Sequence, residues 1–327
     1  MRSSLPKVLH PLGGRPMLGH VLATADALDS YVTAVVLAET TREQVERVFG
    51  QRYAYVVQRE RLGTGHAVLQ ARAALRDRSD DVVVLFGDTP LARPETVRAV
   101  VEARRVSGAR VALLSFHADP PTGYGRVVRD GAGRVTQLVE ERGATPEQRA
   151  LTEANSGIMC FDAAWLWDVI ETVPRNAVKH EYYLTNLVEM AVAQFGPGAA
   201  IAQLAADPTE ALGINDRTQL AAAERVLRGR TLEALMRSGV TIVDPEATYV
   251  DVGVRVGGDT TLLPGTMLCG ATQIGGGCII GPQTTLRDAL IGDAVTIQHS
   301  VIERVQIPSG TSIGPFVYRS SRAIGEE

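Results

Sequence analysis

The sequence has few cysteines for its 327 residues. Cys160, Cys269 and Cys278 are too few and too widely spaced for a disulfide framework or a cysteine-based zinc site. We expect all three to be reduced and buried. The six histidines show no metal-ligand spacing, and none stands in a Ser/His/Asp or Cys/His arrangement that would indicate nucleophilic catalysis.

Long apolar runs and an excess of positive charge are also lacking. No segment reaches the roughly 18 residues that a membrane-spanning helix needs, and residues 1–20 lack the apolar core of a signal peptide. The 33 basic and 37 acidic residues give a formal net charge of −4, so nothing in the charge indicates a nucleic-acid or membrane partner. We therefore expect a cytoplasmic protein that binds neither.

Lysine is nearly absent, because Lys7 and Lys179 are the only two among the basic residues. An ammonium is a compact point charge that the planar guanidinium of arginine does not replace. A lysine retained against this bias is a candidate for a functional role, and chance retention is the alternative. Lys7 lies in the segment Leu5-Pro6-Lys7-Val8-Leu9, where its ammonium either contacts phosphate oxygens or is simply solvated.

Short β-branched runs alternate with helical patterns between residues 18 and 240. The expected strands are Val32–Leu37, Tyr55–Val57, Val82–Phe86 and Val111–Phe116, and the expected helices cover about 41–49, 64–76 and 94–106. This alternation predicts an α/β domain with a mostly parallel, Rossmann-like sheet. A further apolar stripe predicts a connecting helix over 216–238 that ends at Gly239.

The texture changes after residue 241. Aliphatic residues recur six apart, at 274, 280 and 286, again at 291 and 297, and again at 307 and 313. A period of six is typical of a left-handed parallel β-helix built from hexapeptide repeats, in which each short strand forms one side of a triangular coil. The alternative, a β-sandwich with frequent glycine turns, would not fix the spacing at six.

The segment Leu62-Gly63-Thr64-Gly65-His66-Ala67 and the nearby Gln58 predict contact with a flat ligand. Glycines at 63 and 65 permit close approach of the backbone. Gln58 offers the donor and the acceptor that the edge of uracil requires, and Thr64 can cap the next helix or bond the base. Two glycines before a helix are also common in proteins without a ligand there, so a structural role remains the alternative.

Asp88 and Asn215 are the candidate metal ligands. Asp88 follows the expected strand Val82–Phe86, at the edge of the sheet where ligands of α/β proteins bind. A carboxylate there can hold Mg²⁺, which prefers one or two carboxylates plus phosphate oxygens. Asn215 can supply a second oxygen. The alternatives are that Asp88 caps a turn and that Asn215 caps the following helix.

Groups suited to sugar hydroxyls and an N-acetyl group lie on separate segments. Gly125 belongs to Gly123-Tyr124-Gly125-Arg126, Glu140 and Asn155 supply a carboxylate and an amide, and Thr185 ends the segment 181–185. Each of them, taken alone, is as compatible with a structural role.

In order and spacing these motifs resemble the bacterial bifunctional N-acetylglucosamine-1-phosphate uridyltransferase/glucosamine-1-phosphate acetyltransferase family over nearly the whole sequence. The resemblance implies a nucleotidyltransferase domain over 1–217, a linker helix over 218–238 and the start of the β-helix domain over 239–327. It further implies Mg²⁺-dependent transfer of uridylyl from UTP to N-acetylglucosamine 1-phosphate for envelope precursors, in a homotrimer formed through the β-helix.

The resemblance also implies a role for each motif. Lys7 contacts the nucleotide phosphates, and Asp88 with Asn215 holds Mg²⁺. The remaining residues bind the two organic groups: Gln58, Gly63 and Thr64 bind uracil, and Gly125, Glu140, Asn155 and Thr185 bind the N-acetylglucosamine moiety.

Two departures from the family pattern bear on activity. In the family, a first strand and a glycine-rich loop of the form Leu-Ala-Ala-Gly-x-Gly-Thr-Arg-Met precede the Leu-Pro-Lys segment, whereas this sequence starts at that methionine. We therefore expect unpaired strand edges in the sheet and little or no uridyltransferase activity from the sequence as given. The family's acetyl-transfer residues lie beyond the last coils, so no acetyltransferase activity is expected.

Two alternatives stay open from the sequence. The first is a non-catalytic homologue that binds UDP-sugar or only oligomerises. The second is a nucleotidyltransferase for another sugar 1-phosphate, against which the pair Glu140 and Asn155 argues.

Overall fold

The computed structural model describes residues 1–177 and 179–321 and contains two compact units. The first unit comprises residues 1–10 and 17–215, and the second comprises residues 11–16 and the chain from Asp216 onward. The helix expected as a linker lies in the second unit, together with a hairpin formed by Pro11–Leu12 and Arg15–Pro16.

The first unit alternates strands and helices as the sequence predicts. Its strands are β1 Ala34–Leu37, β2 Ala54–Val57, β3 Asp81–Val84, β4 Val111–His117, β5 Arg126–Arg129, β6 Val135–Val139, β7 Glu153–Asp162 and β8 Ala200–Leu204. Its helices are α1 Met17–Asp26, α2 Glu39–Phe49, α3 Thr64–Gln70, α4 Arg72–Leu75, α5 Pro94–Ser107, α6 Pro146–Arg149, α7 Ala163–Val169 and α8 Asn186–Phe195, with 3₁₀ turns at Lys7–Leu9, Glu141–Gly143, Ile170–Thr172 and Pro208–Ala211.

The main sheet has six strands, in which β4 pairs parallel with β8 and antiparallel with β7. β7 also pairs antiparallel with β3, and β5 joins β7 to β6. Strand β3 therefore runs parallel to β4 and β8, as the alternation predicted, while β7 is an antiparallel insertion between them. Mixed sheets of this kind are common in α/β enzymes.

Burial explains why β4 and β7 are at the centre. The first six residues of β4 are buried, and so is nearly all of β7. β4 carries near-continuous apolar sequence, and β7 does so over residues 158–161, which is typical of strands covered on both faces. Helices α7 and α8 cover one face, where Phe161, Trp165, Leu166 and Leu187 pack into one cluster.

A cavity of about 1050 Å³ lies between β1 and β3. In the described part of the chain, β1 pairs only with β2, and β3 pairs only with β7. Apolar residues of α1, β1 and β3 line most of the cavity, and Lys7, Gly87 and Asp88 lie at one end. The expected unpaired strand edges are therefore confirmed.

The second unit begins with helix α9, Arg217–Arg237, whose N-terminus is capped by the Asp216 side chain accepting a hydrogen bond from the Gln219 N–H at 2.8 Å. Short strands then form three parallel sheets. The first contains Thr241–Ile242, Thr261–Leu262, Ile279–Ile280, Thr296–Ile297 and Ser312–Ile313; the second contains Tyr249–Val250, Met267–Cys269, Thr285–Arg287, Val301–Glu303 and Tyr318–Ser320; the third contains Arg255–Val256, Gln273–Ile274, Leu290–Ile291 and Gln306–Ile307.

These sheets confirm the predicted β-helix. Each strand pairs with the strand one coil away, so that Leu262 lies beside Ile280 and Leu268 lies beside Leu286. The inward side chains are fully or nearly fully buried. The six-residue interval shortens to five after Leu286, after Ile297 and after Ile302, and the later coils are correspondingly shorter.

Buried hydroxyls close the corners of the coils. Thr260, Thr266 and Thr272 follow the same period of six and are fully buried. Their hydroxyls donate to backbone carbonyls at 2.7–2.8 Å. Satisfied in this way, each hydroxyl avoids the cost of an unpaired buried polar group, which is about 1–3 kcal/mol.

The cysteine prediction is confirmed for two of three residues. All three cysteines are free; Cys160 and Cys278 are buried, whereas Cys269 is only half-buried because it ends a strand on the outside of a coil. Burial raises the pKa of the Cys160 thiol to about 12, so this thiol stays protonated near neutral pH. No helix in the described ranges is long and apolar enough to cross a membrane.

Candidate active site

Lys7, Asp88 and Asn215 meet in the first unit. The ammonium of Lys7 donates to Asp88 Oδ2 at 2.5 Å and to Asn215 Oδ1 at 3.0 Å. The short turn Lys7–Leu9 is held by the Leu9 N–H bonding Pro6 O at 2.9 Å and by burial of Leu9. The Ile214 N–H donates to Asp88 O at 2.9 Å, which brings Asn215 to the carboxylate.

The oxygens of Asp88 and Asn215 therefore converge on one positively charged atom. A carboxylate and an amide oxygen are hard donors of the kind that Mg²⁺ binds, and Mg²⁺ commonly completes its octahedron with water and phosphate. No group of three or more His, Cys, Asp or Glu side chains with metal-binding geometry occurs in the described ranges. These two oxygens thus fit a metal ion whose other ligands are phosphate oxygens and water, and they do not fit a site formed by protein ligands alone.

The structure does not support the structural alternatives for these residues. Asp216, not Asn215, caps helix α9. The turn after β3 is closed by the backbone and hydroxyl of Thr89, which both donate to Phe86 O, while the Asp88 side chain pairs with Lys7. Lys7 is 35% exposed at its side chain and has two bonded partners, so it is not a freely solvated surface lysine.

Gln58, Gly63 and Thr64 form a second group. Gln58 follows β2, and its N–H donates at 2.8 Å to the carbonyl of Leu37, the last residue of β1. Its side-chain Nε2 donates to Gly63 O at 3.1 Å. This group therefore lies at the carboxyl ends of β1 and β2, the edge where ligands of α/β sheets bind.

Gly63 is required by its surroundings. Its φ is +100°, and a Cβ at this position would lie 2.6 Å from Tyr182 O. Thr64 is the first residue of α3, and the helix has no side-chain cap, so of the two roles that the sequence left open for Thr64 the structure does not support capping. Its hydroxyl oxygen instead accepts from the Leu184 N–H at 3.0 Å, which ties the loop to the segment 182–185.

Gly125, Glu140, Asn155 and Thr185 form a third group. The Thr185 hydroxyl donates to Glu140 Oε1 at 3.0 Å, and the Asn155 N–H donates to Gly125 O at 2.8 Å. A Cβ on Gly125 would lie 3.9 Å from the same Glu140 oxygen. Thr185 and Asn155 are each 8% exposed, whereas Glu140 is exposed. Four segments distant in sequence thus converge at one place.

The segment 182–185 connects the second and third groups. The Tyr182 N–H donates to Leu62 O at 2.7 Å, and Tyr182 O accepts from the Gly65 N–H at 2.8 Å. Thr185, three residues later, bonds Glu140. Beside them, burial raises the pKa of Tyr183, so its hydroxyl remains a neutral donor at physiological pH.

Sequence reasoning missed two polar residues at the site. Tyr124 accepts a hydrogen bond from the Gly213 N–H at 3.0 Å and packs edge-on against Phe116, which positions the segment that carries Asn215. His66 lies between the amides of Gln58 and Gln70, at 3.0 and 3.1 Å. The spacing of His66 and Gln70, four residues apart on α3, was the only signal in the sequence.

Comparison with known proteins defines the class. Residues 1–157 match the MobA-like NTP transferase domain family. An NTP transferase domain followed by a left-handed β-helix is the architecture of a sugar-phosphate nucleotidyltransferase.

The relatives identify the family within this class. Proteins named bifunctional protein GlmU are 41% identical in Halalkalibacterium halodurans, 42% in Trichlorobacter lovleyi and 46% in Pelotomaculum thermopropionicum. Each alignment covers 97% of this chain and 69% of the relative. The chain belongs to the GlmU family.

Proposed function

We propose that the first unit carries the substrate and metal contacts for Mg²⁺-dependent uridylyl transfer from UTP to N-acetylglucosamine 1-phosphate, with turnover expected when the family's glycine-rich strand and loop complete the site. The products are UDP-N-acetylglucosamine, a precursor of peptidoglycan and other envelope polymers, and pyrophosphate. The observation that carries the proposal is the convergence of Lys7, Asp88 and Asn215 on one point at the carboxyl edge of the sheet. The groups around Gln58 and Glu140 supply the matching base and sugar contacts.

Asp88 and Asn215 are the residues that hold Mg²⁺ in this proposal. The ion supplies charge neutralisation on the nucleotide phosphates when it is bound. Lys7 leaves its present oxygen partners and places its ammonium on a phosphate oxygen. Phosphoryl transfer requires little covalent chemistry from the protein, so positioning and charge neutralisation are the main contributions of these side chains.

The reaction is an in-line displacement. An oxygen of the sugar phosphate attacks the α-phosphorus of UTP, the new P–O bond forms, and the bond to the β-phosphate oxygen breaks to release pyrophosphate. The chain's own residues orient the two substrates. Gln58 and the loop at Gly63 fix the uracil, and the group around Glu140 fixes the sugar.

The third group suits an N-acetylated sugar. The Glu140 carboxylate accepts from sugar hydroxyls, with Thr185 holding it in place. The Asn155 Oδ1 already accepts from the Gly157 N–H at 3.0 Å, so the hydrogens of its Nδ2 are the atoms it offers to a ligand oxygen. An acetyl carbonyl is such an oxygen. This argues for N-acetylglucosamine over the alternative, a sugar 1-phosphate without the acetyl group.

We further propose that the chain assembles as a homotrimer through its second unit. On the second sheet of the β-helix, Tyr249, Met267 and Tyr318 face outward and are 45%, 42% and 68% exposed. Aromatic and methionine side chains in a row are enriched in subunit interfaces. The resemblance to the family favours three copies meeting through this unit.

Direct binding tests the substrate class. We expect UDP-N-acetylglucosamine to bind the chain more tightly than UDP-glucose, and Mg²⁺ to strengthen binding of UTP, in isothermal titration calorimetry. Thr185→Val should weaken binding of UDP-N-acetylglucosamine and leave the affinity for UTP unchanged, because it removes the hydroxyl that positions Glu140. A matched control is Thr172→Val, whose hydroxyl bonds only Val169 O at an exposed turn. Equal affinities for the two UDP-sugars would favour another sugar, and no binding of uridine nucleotides would favour a non-catalytic scaffold.

A further inference from the structure

His66 has no role in the proposed chemistry, yet both of its ring nitrogens contact glutamine amides. Nδ1 lies 3.0 Å from Gln58 Nε2, and His66 Nε2 lies 3.1 Å from Gln70 Nε2. The ring also lies beside Tyr182, with centroids 6.5 Å apart and planes inclined by 32°. Gln58, His66 and Gln70 are each partly buried, so these contacts are partly shielded from water.

The backbone determines the orientation of the Gln58 amide. Gln58 Nε2 is 3.1 Å from Gly63 O, and a carbonyl oxygen can only accept a hydrogen bond. The atom facing Gly63 is therefore the amide nitrogen, because an oxygen there would meet another oxygen. Of the two amide hydrogens, one goes to Gly63 O and the other points to His66 Nδ1.

This orientation determines the tautomer of His66. Nδ1 must accept, so the neutral ring carries its proton on Nε2. The Nε2–H then needs an acceptor, so we assign the Gln70 amide with its oxygen toward the ring, in place of the Nε2 that lies there at 3.1 Å. Since amide nitrogen and oxygen have nearly the same shape, the hydrogen-bond network assigns them. The series of hydrogen bonds through Gln58, His66 and Gln70 is therefore consistent only when Gln58 donates to His66 and His66 donates to Gln70.

With both hydrogens engaged, Gln58 offers a ligand only its oxygen, so of the donor and the acceptor expected from the sequence only the acceptor is available to uracil. An oxygen acceptor pairs with the N3–H of uracil and opposes the N3 lone pair of cytosine. We propose that His66 is a positioning residue that sets the base specificity of the site by holding Gln58 in its acceptor orientation, an inference that rests on the proposed function. Without His66 Nδ1, one amide hydrogen is released and can donate to cytosine.

The test measures dissociation constants of UTP and CTP, with Mg²⁺, by isothermal titration calorimetry on the whole chain. His66→Leu should lower the ratio of CTP to UTP dissociation constants by roughly two- to tenfold, the range that one hydrogen bond carries. His66→Asn should restore the ratio, because its side-chain oxygen can take the place of Nδ1. His117→Leu, at a histidine whose polar contact is Thr152 in the same unit, is the control and should keep the wild-type ratio.

Each outcome has one meaning. If wild-type protein does not prefer UTP, the proposed function fails and the inference fails with it. If wild-type protein prefers UTP and His66→Leu keeps the full preference, only the inference is overturned. If His66→Leu does not fold, His66→Gln and His66→Asn decide, because Gln replaces Nε2 and Asn replaces Nδ1. Equal UTP preference in these two variants would overturn the inference.

Discussion

Asp88→Asn distinguishes two roles for Asp88, that of a metal ligand and that of a partner in a structural ion pair. The substitution keeps the shape and one oxygen but removes the negative charge. The Lys7 and Asp88 side chains are 35% and 26% exposed, so solvent screens their 2.5 Å ion pair. Exposed pairs contribute about 0–1 kcal/mol, and 1 kcal/mol shifts the melting temperature by about 2–4 °C in a domain of this size. The fold should therefore survive.

The effect of Asp88→Asn on turnover should be far larger. Loss of a charged metal ligand removes several kcal/mol of transition-state stabilisation, and each 1.36 kcal/mol is a factor of about ten in rate. We expect turnover to fall by at least about a thousandfold at saturating Mg²⁺. The assay is coupled pyrophosphate release from UTP and N-acetylglucosamine 1-phosphate, in a version extended at its N-terminus by the glycine-rich strand and loop.

Asp130→Asn is the matched control for this experiment. Asp130 is a hairpin carboxylate that pairs with Arg134 and takes no part in the candidate site. It should leave turnover unchanged. Near-wild-type turnover of Asp88→Asn, or a loss of folding comparable to the loss of activity, would refute the assignment of Asp88 as a metal ligand.

Three further predictions concern single side chains. Gln58→Ala should reduce the preference for UTP over CTP more than it slows the reaction with UTP. The loss of preference should correspond to about 1–3 kcal/mol, the cost of leaving polar groups unpaired. An unchanged preference would show that another residue recognises the base. Lys7→Arg should lower turnover by at least about tenfold although the charge is kept, because the guanidinium cannot replace a point donor to two oxygens; equal turnover would contradict a specific role for the ammonium. Arg104→Met should destabilise the first unit by about 3 kcal/mol in urea denaturation, because it breaks a buried pair with Asp81, whose carboxylate then keeps Arg105 and the Cys160 thiol.

The solenoid was predictable because its contacts repeat along the sequence. An inward aliphatic residue at every sixth position marks one side of the coil. Ile274, Ile280 and Leu286 follow this spacing and are buried. The sheet of the first unit was only partly predictable. The sequence shows β1 to β4 as β-branched runs, whereas the pairing of β7 between β3 and β4 depends on contacts between segments far apart in the chain.

The candidate site shows the same division. Asp88 could be placed at the sheet edge from its position after an apolar strand, because that location follows from the strand direction alone. The joint contact of Lys7 with Asp88 and Asn215 could not, since it joins residues more than two hundred positions apart. The choice between the two roles of Thr64 could not be made from the sequence, because its hydroxyl accepts from a distant N–H, that of Leu184, and does not form the local cap.

The formation of UDP-N-acetylglucosamine from α-labelled UTP and N-acetylglucosamine 1-phosphate tests the central claim most directly. It should be measured for the chain as given and for the version extended by the glycine-rich strand and loop, each with and without Mg²⁺. From the extended version we expect labelled product and pyrophosphate in equal amounts, and only with Mg²⁺. The chain as given is the comparison that measures the contribution of the loop, since loss of one phosphate-binding donor costs about 10²–10³ in rate. Equal rates would contradict the expected role of the loop, and no labelled product from either version would contradict uridylyl transfer itself.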